Sequence, residues 1–217
     1  MLHKVAQEKV YNPYYALIVQ HLCRSSHSYK ITLQFCLWDF LRDLGESNVG
    51  GVELIKNVAQ SGTEYKGMSS TRVKSVAKAY AWWIAKDSVT LGILKVRFEY
   101  FRYSLLSDTV QPLDFTVLKP KSREFLKELF IQIYINTQIT SPMLLAEMTH
   151  IPVSQNRKQT SVEEVFVKAA KFHDLSMGLT YILVELFKNN GEDELGKFIK
   201  WANEVALDTL RSSVDIL

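Results

Sequence analysis

The run 31–44 constrains this chain more than any other stretch. On a helix of about 3.6 residues per turn, Ile31, Leu33, Phe35, Cys36, Leu37, Trp38, Phe40, Leu41 and Leu44 cover nearly the whole circumference. Such a helix is expected to be enclosed by other helices. It begins near Tyr29, and Gly45 stands where a left-handed residue closes a helix. Upstream, Asn12 and Pro13 read as an N-cap and a first helical position, because Asn accepts from free backbone donors and Pro has no N–H to leave unpaired. Tyr14, Leu17, Ile18 and Leu22 then predict the buried stripe of a first helix. The polar run 24–28 separates the two helices.

The rest of the composition agrees with helix. With only nine Gly and five Pro in 217 residues, a turn-rich β fold and a long disordered tract are both disfavoured. The length fits one large domain, or one domain with an appended segment, and allows a substantial core. No run approaches the roughly 20 apolar residues that cross a bilayer, and His3, Lys4, Gln7, Glu8 and Lys9 leave no apolar signal-peptide region. An intracellular protein is expected, with no membrane partner. Cys23 and Cys36 fall among apolar helical neighbours and are predicted to be free thiols.

Residues 2–9 look like the tail of a helix, so the chain is expected to open partway through its fold. Residues 47–70 form a connection with one short helical candidate at 52–59. Ser69 or Ser70 caps the next helix, where Val73, Val76, Ala77, Tyr80 and Ile84 make one apolar stripe widened by Trp82 and Trp83. Residues 88–98 favour a further helix, with a strand as the alternative, and run into Tyr100, Phe101 and Tyr103. After a turn-rich connection, Ser122 is expected to cap a helix burying Phe125, Leu126, Leu129, Phe130 and Ile133. Residues 139–160 read as a loop. Ser161 with Glu164 fits a capping box for a helix burying Val162, Val165, Phe166 and Ala169. The next buries Leu175, Leu179, Ile182, Leu183 and Leu186. The last runs from about Glu192, with Leu195, Phe198, Ile199, Ala202 and Ala206 inward and Glu192, Asp193 and Glu194 at its positive end. The predicted class is all-α, built as stacked antiparallel helical hairpins.

Catalysis needs polar groups that converge, and the five histidines are scattered without metal-ligand spacing. Glu147 and His150 match half of a di-iron motif whose other half is not visible. Ser75 and Lys78 have the spacing of a penicillin-recognising enzyme without its companion motifs. No phosphate-binding glycine loop or zinc-spaced cysteine pair appears, so neither an enzyme nor a cofactor or small-molecule substrate is expected. Charge is more informative. Residues 66–123 hold eleven basic residues (Lys66, Arg72, Lys74, Lys78, Lys86, Lys95, Arg97, Arg102, Lys119, Lys121, Arg123) against four acids (Asp87, Glu99, Asp108, Asp114). Lys74 and Lys78 lie one turn apart opposite the apolar stripe, and with Arg72, Lys95, Arg97 and Arg102 they are the candidate RNA or partner contacts. A plain solvated face is the other reading. Tyr100, Phe101 and Tyr103 are candidates for base stacking or for core. The acids at 163–164 and 192–194 suit helix starts, or a partner.

The stretches Asn12-Pro13-Tyr14-Tyr15-Ala16 and Gln34-Phe35-Cys36-Leu37-Trp38-Asp39 resemble the paired helices inside the MI domain of the nucleolar MIF4G-domain proteins; 88–98 and 162–186 resemble it more loosely. The resemblance implies a HEAT-like superhelix with its first helices missing. It divides the chain into an MI-type domain at 1–138, a loop at 139–160, and C-terminal helices at 161–217 packing on the same domain. It also implies a nucleolar or nuclear scaffold in small-ribosomal-subunit biogenesis and rRNA processing, partnered by pre-ribosomal proteins and rRNA. The alternative is a regulator of a DEAD-box helicase of the initiation-factor type. That family's own helicase-binding MIF4G domain has no counterpart in this sequence, so its helicase role does not carry over.

Overall fold

A computed structural model describes residues 11–46, 49, 68–94, 113–139, 157–189 and 191–212. Among them are seven α-helices and no strand: α1 Pro13–Ser25, α2 His27–Asp43, α3 Ser70–Ala85, α4 Pro120–Gln138, α5 Gln159–Ala170, α6 His173–Leu186 and α7 Glu194–Ser212, with a 3-10 turn at Leu91–Leu94. None of these helices is long and apolar enough to cross a membrane.

Local chemistry explains most of the helix ends. Asn12 caps α1, its side chain accepting from the Tyr14 N–H at 3.0 Å, with Pro13 in the first turn. Ser26 alone joins α1 to α2. Its N–H donates to Leu22 O at 3.1 Å and closes one helix, while its side chain accepts from Ser28 N and opens the next. Ser69 caps α3, accepting from Arg72 N at 3.3 Å. α2 and α3 end in the same way. Gly45 N donates to Arg42 O and Glu46 N to Leu41 O; Asp87 N donates to Ile84 O and Ser88 N to Trp83 O. Each is the paired-bond C-terminal motif that needs a left-handed residue after the cap. Gly45 (φ 103°) fills that position without strain, whereas Asp87 (φ 55°) fills it with a Cβ.

Two of the predicted caps are displaced. α4 begins two residues before Ser122, because Pro120 with its fixed φ opens the helix behind Lys119, and Ser122 ends fully buried in the first turn. α5 begins before Ser161, so Ser161 and Glu164 sit within it and make no capping box. Gln138 supplies the missing local device: its Nε2 donates to Lys158 O at 3.2 Å and its Oε1 accepts from Lys158 N at 2.8 Å. The start of α5 is thus held by the end of α4.

The burial pattern corrects the first expectation. α2 is not enclosed: it buries Leu33, Leu37, Trp38, Phe40 and Leu41 but leaves Ile31 at 44% and Phe35 at 39% exposed. α1 likewise turns Tyr14 outward, 61% exposed, and buries Ala16, Val19 and Cys23 instead. The enclosed helix is α3, in which every residue from Ala79 to Ile84 is buried, as are Val73, Ser75, Val76 and Ala77. Small residues account for this: Ser75, Ala77, Ala79 and Ala81 let neighbouring helices approach on sides that the apolar stripe leaves open. Tyr80, Trp82 and Trp83 then anchor it, each large side chain contributing roughly 1.5–3 kcal/mol of burial. Their polar atoms are satisfied by the first two helices. Tyr80 OH donates to Leu33 O (2.7 Å), Trp83 Nε1 to Ala16 O (2.8 Å) and Trp82 Nε1 to Gln20 Oε1 (2.8 Å).

α3 and α4 form the most extensive contact between helices. Ser70 meets Glu124 at their starts and Lys86 meets Asn136 and Ile139 at their ends, so the two run parallel. α2 opposes them, with Phe40 against Phe125 and Leu33 against Tyr80. α4 and α5 are antiparallel, since Gln138 holds Lys158 while Phe130 stacks on Phe166. α6 and α7 are antiparallel too, through Ser176 Oγ donating to Leu210 O. Where a helix was expected from residue 88, the described part is the 3-10 turn, and its Ile93 carbonyl accepts from Trp38 Nε1. Cys23 and Cys36 are free, the first buried and the second half-buried.

Candidate interaction surface

The first candidate face lies where α3 and α4 start side by side. Ser70 Oγ donates to Glu124, and Lys121 Nζ pairs with its other oxygen at 3.0 Å. The Ser70 hydrogen bond, followed by that of Lys121 and the charges of Lys121 and Lys74, holds the Glu124 carboxyl below its usual range. Lys74 is therefore beside Glu124 in space and exposed. Arg72 and Lys78 are half-buried. The Nε of Arg72 is buried without a hydrogen-bond partner among the described residues, and the Lys78 Nζ lies 5.9 Å from the centre of the Tyr11 ring. Lys74 and Lys78 share a face as their spacing predicts, but Lys78 spends part of its charge on Tyr11. Lys95, Arg97 and Arg102 lie outside the described residues, as do Tyr100, Phe101, Tyr103, Glu147 and His150.

The other end of the α3/α4 pair is also basic. Lys86 Nζ donates to Asn136 O at 2.9 Å and to Ile139 O, and lies 5.0 Å from the Trp82 ring. It caps the negative end of α4, where carbonyls lack intrahelical donors. Burial, then the charge of Lys158, lowers its pKa from the ordinary lysine value. Beside it opens a cleft of about 560 Å³, lined among others by Asp87, Thr137, Lys158, Glu164 and Lys168. Lys168 pairs there with Asp87 at 2.6 Å. Lys86 and Thr137 in this cleft bond to carbonyls at the end of α4, and Lys168 is held in its ion pair. Among the described residues, no group of three His, Cys, Asp or Glu side chains is placed to hold a metal ion.

A third basic group is visible only in three dimensions. Arg157, preceding α5, sets its guanidinium 5.3 Å from the centre of the Trp201 ring on α7. Lys197 and Lys200 are exposed on α7; Lys197 stands one turn before Trp201, whereas Lys200, its chain neighbour, lies about 100° around the helix from it. The sequence holds no local signal for this arrangement, because 44 residues separate the arginine from the tryptophan.

Residues 1–64 match the family model of the MA3 domain. The chain is similar to Suppressor of glycerol defect protein 1 of Schizosaccharomyces pombe, 33% identical over 95 residues that make up 44% of this chain and 11% of that protein. It is similar also to Nucleolar MIF4G domain-containing protein 1 of Homo sapiens, 45% identical over 90 residues, or 42% of this chain and 8% of that protein. The aligned stretches thus span about a tenth of the length of these relatives. No solved structure matches. The resemblance of the Asn12-to-Asp39 hairpin to the MI domain, which is the MA3 domain, of the nucleolar MIF4G-domain proteins is borne out. The described residues are all helical, in keeping with the helical, HEAT-like fold of the MA3 domain that residues 1–64 match, a class of interaction domain that is generally non-catalytic.

Proposed function

We propose that this MA3-type chain is a scaffold in small-ribosomal-subunit biogenesis, acting in the nucleolus on pre-ribosomal proteins and rRNA without catalysing a reaction. The observation that carries the proposal is the 45% identity over 90 residues with a relative named as nucleolar. The fold suits the role: α3, buried on nearly every side, gives a rigid core on which Lys74 stands exposed and Arg72 and Lys78 are held half-buried. These three residues, with Lys95, Arg97 and Arg102, form the contact surface in this reading. The MI-type unit in this reading is residues 1–138, with helices α5–α7 packed onto it as a C-terminal layer.

The test is sedimentation of the tagged chain from nuclear extract, together with rRNA analysis after its depletion. Co-migration with small-subunit precursors and accumulation of unprocessed small-subunit rRNA are expected. A chain that stays at the top of the gradient while rRNA processing proceeds normally overturns the proposal. Added to an initiation-factor-type DEAD-box helicase, the chain is expected to leave RNA-dependent ATP turnover unchanged.

A further inference from the structure

α6 is apolar on two faces, and the fold covers only one of them. Leu175, Leu179, Ile182 and Leu183 are buried, whereas Met177 is 57%, Tyr181 42% and Val184 43% exposed. At about 100° per residue the three exposed side chains fall within roughly 60° of arc, as one stripe down the outer side of the helix. A helix apolar on both faces is expected to be enclosed, so this stripe calls for a cover. The charges at its ends say which. Asp174, in the first turn, lies seven residues before Tyr181, and Lys188, just past the helix end, lies seven residues after it. Both are exposed, and neither forms an ion pair among the described residues. Turned about a two-fold axis at Tyr181, a second α6 lies antiparallel on the first, stripe on stripe, with its Asp174 opposite Lys188 and its dipole opposed. Lys171 and Glu185 are the remaining charges of the segment 171–188, and both are exposed. In the same register they continue the alternation of sign: each end of the contact runs from Glu185 to Lys188 with the second copy's Asp174, and then to the second copy's Lys171. The face is thus neutral and matches itself, whereas the face of Arg72, Lys74 and Lys78 would repel its own copy.

We propose that the outer face of α6 pairs with the same face of a second copy of this chain, antiparallel about Tyr181. A strongly acidic or strongly basic protein fits less well, because either would set like charges against one of the two signs at each end. One helix face buries less than the about 800 Å² per partner of a stable interface, so the dimer is weak, with a Kd on the order of 100 µM. The inference does not rest on the pre-ribosomal role, and it concerns a different helix from Arg72, Lys74 and Lys78.

Sedimentation equilibrium of the full chain, from about 5 to 500 µM, reads the association across the expected Kd. Asp174→Lys and Lys188→Asp each place like charges opposite one another at both ends, so each should weaken the dimer at least tenfold. The two changes together restore opposite charges and should return the Kd to within about threefold of wild type. Lys74→Gln, on the other surface, should leave association unchanged. All four positions are exposed or half-buried at most, and circular dichroism melting confirms that each variant folds. Cross-linking with diamide then tests the direction of the pair. Tyr181→Cys should link to its own copy above the background set by Cys23, which is buried, and Cys36, which is half-buried. Asp174→Cys should not, because antiparallel pairing holds the two copies of residue 174 about 21 Å apart along the helix, at 1.5 Å per residue. The proposal is overturned if the chain stays monomeric throughout, which leaves the stripe to a different protein. It is equally overturned if the double reversal associates no better than the single ones, or if Asp174→Cys cross-links as readily as Tyr181→Cys.

Discussion

At the scale of single residues, two glycines and one aspartate decide whether local preference or packing prevails. Gly178 lies within α6, where helix propensity alone favours alanine by about 1 kcal/mol. A Cβ at this position would stand 2.5 Å from Cδ2 of Phe115, a ring buried between the connection and the helix. Gly178→Ala is therefore expected to destabilise the protein by about 1–3 kcal/mol in urea unfolding, and a Phe115→Ala background should remove most of that loss. A stabilised Gly178→Ala protein would show that the ring gives way freely. The two paired-bond helix ends make a second contrast. Gly45→Ala places a side chain in the left-handed region and should cost about 1 kcal/mol, whereas Asp87→Gly relieves that same strain and loses only the exposed pair with Lys168, so it should be neutral or stabilising. Gly45, Asn12 and Ser69 were legible in the sequence because each acts within a few residues of itself. Asp87 was not, since its left-handed role follows from where α3 stops. Ser122 and Ser161 misled for a related reason: a proline and a distant glutamine set those helix starts.

At the scale of elements, the sequence predicts which residues of a helix turn inward better than it predicts which helix lies innermost. The stripes of α3, α4 and α5 appear as expected, since a 3.6-residue period is a property of one segment. The central position of α3 depends on its alanines, which look neutral in a sequence, while the large side chains of α2 look more buried than they are. The α3/α4 pair is fastened at both ends by polar links, and each can be measured. The Glu124 carboxyl titrates below its usual range in the folded protein because of Ser70 and then Lys121. A depressed carboxylate contributes stability above its unfolded pKa, near 4.5, and loses it as pH falls through the folded value. Wild type should consequently lose more stability than Glu124→Gln between pH 5 and the acid limit, in paired urea titrations; equal losses would show that the link is spent on solvent. At the other end, Lys86→Met keeps the stem over Trp82 but leaves the carbonyls of Asn136 and Ile139 without their donor. A loss of about 1–3 kcal/mol is expected, and a smaller one would mean that water replaces the ammonium.

At the scale of the whole molecule, α4 joins everything described here. Its first half meets α2 through Phe125 against Phe40 and α3 through Glu124 with Ser70. Its second half carries Phe130 and Tyr134 into a ring cluster with Phe166 and Phe187, and Tyr134 OH donates to Asn203 Oδ1 on α7 at 3.0 Å. The candidate surfaces inherit this arrangement. Arg72, Lys74 and Lys78 were legible as a charge run on one helix, but the Arg157–Trp201 group exists only because α4 holds the start of α5 against the α7 side of the fold. A helix shared by both halves should make them unfold together. Ile133 is fully buried at the middle of α4, so Ile133→Ala should cost about 2–5 kcal/mol. Native-state hydrogen exchange should then show the most protected amides of α3 and of α7 losing protection by the same amount, as one cooperative unit requires. If the α7 amides lose protection while those of α3 keep it, the α1–α3 part is a separate folding unit and the C-terminal helices are a dependent layer upon it. In that case Tyr134→Phe, which leaves a buried Asn203 oxygen unpaired at a cost of about 1 kcal/mol, should loosen α5–α7 and leave the Tyr80, Trp82 and Trp83 anchors untouched.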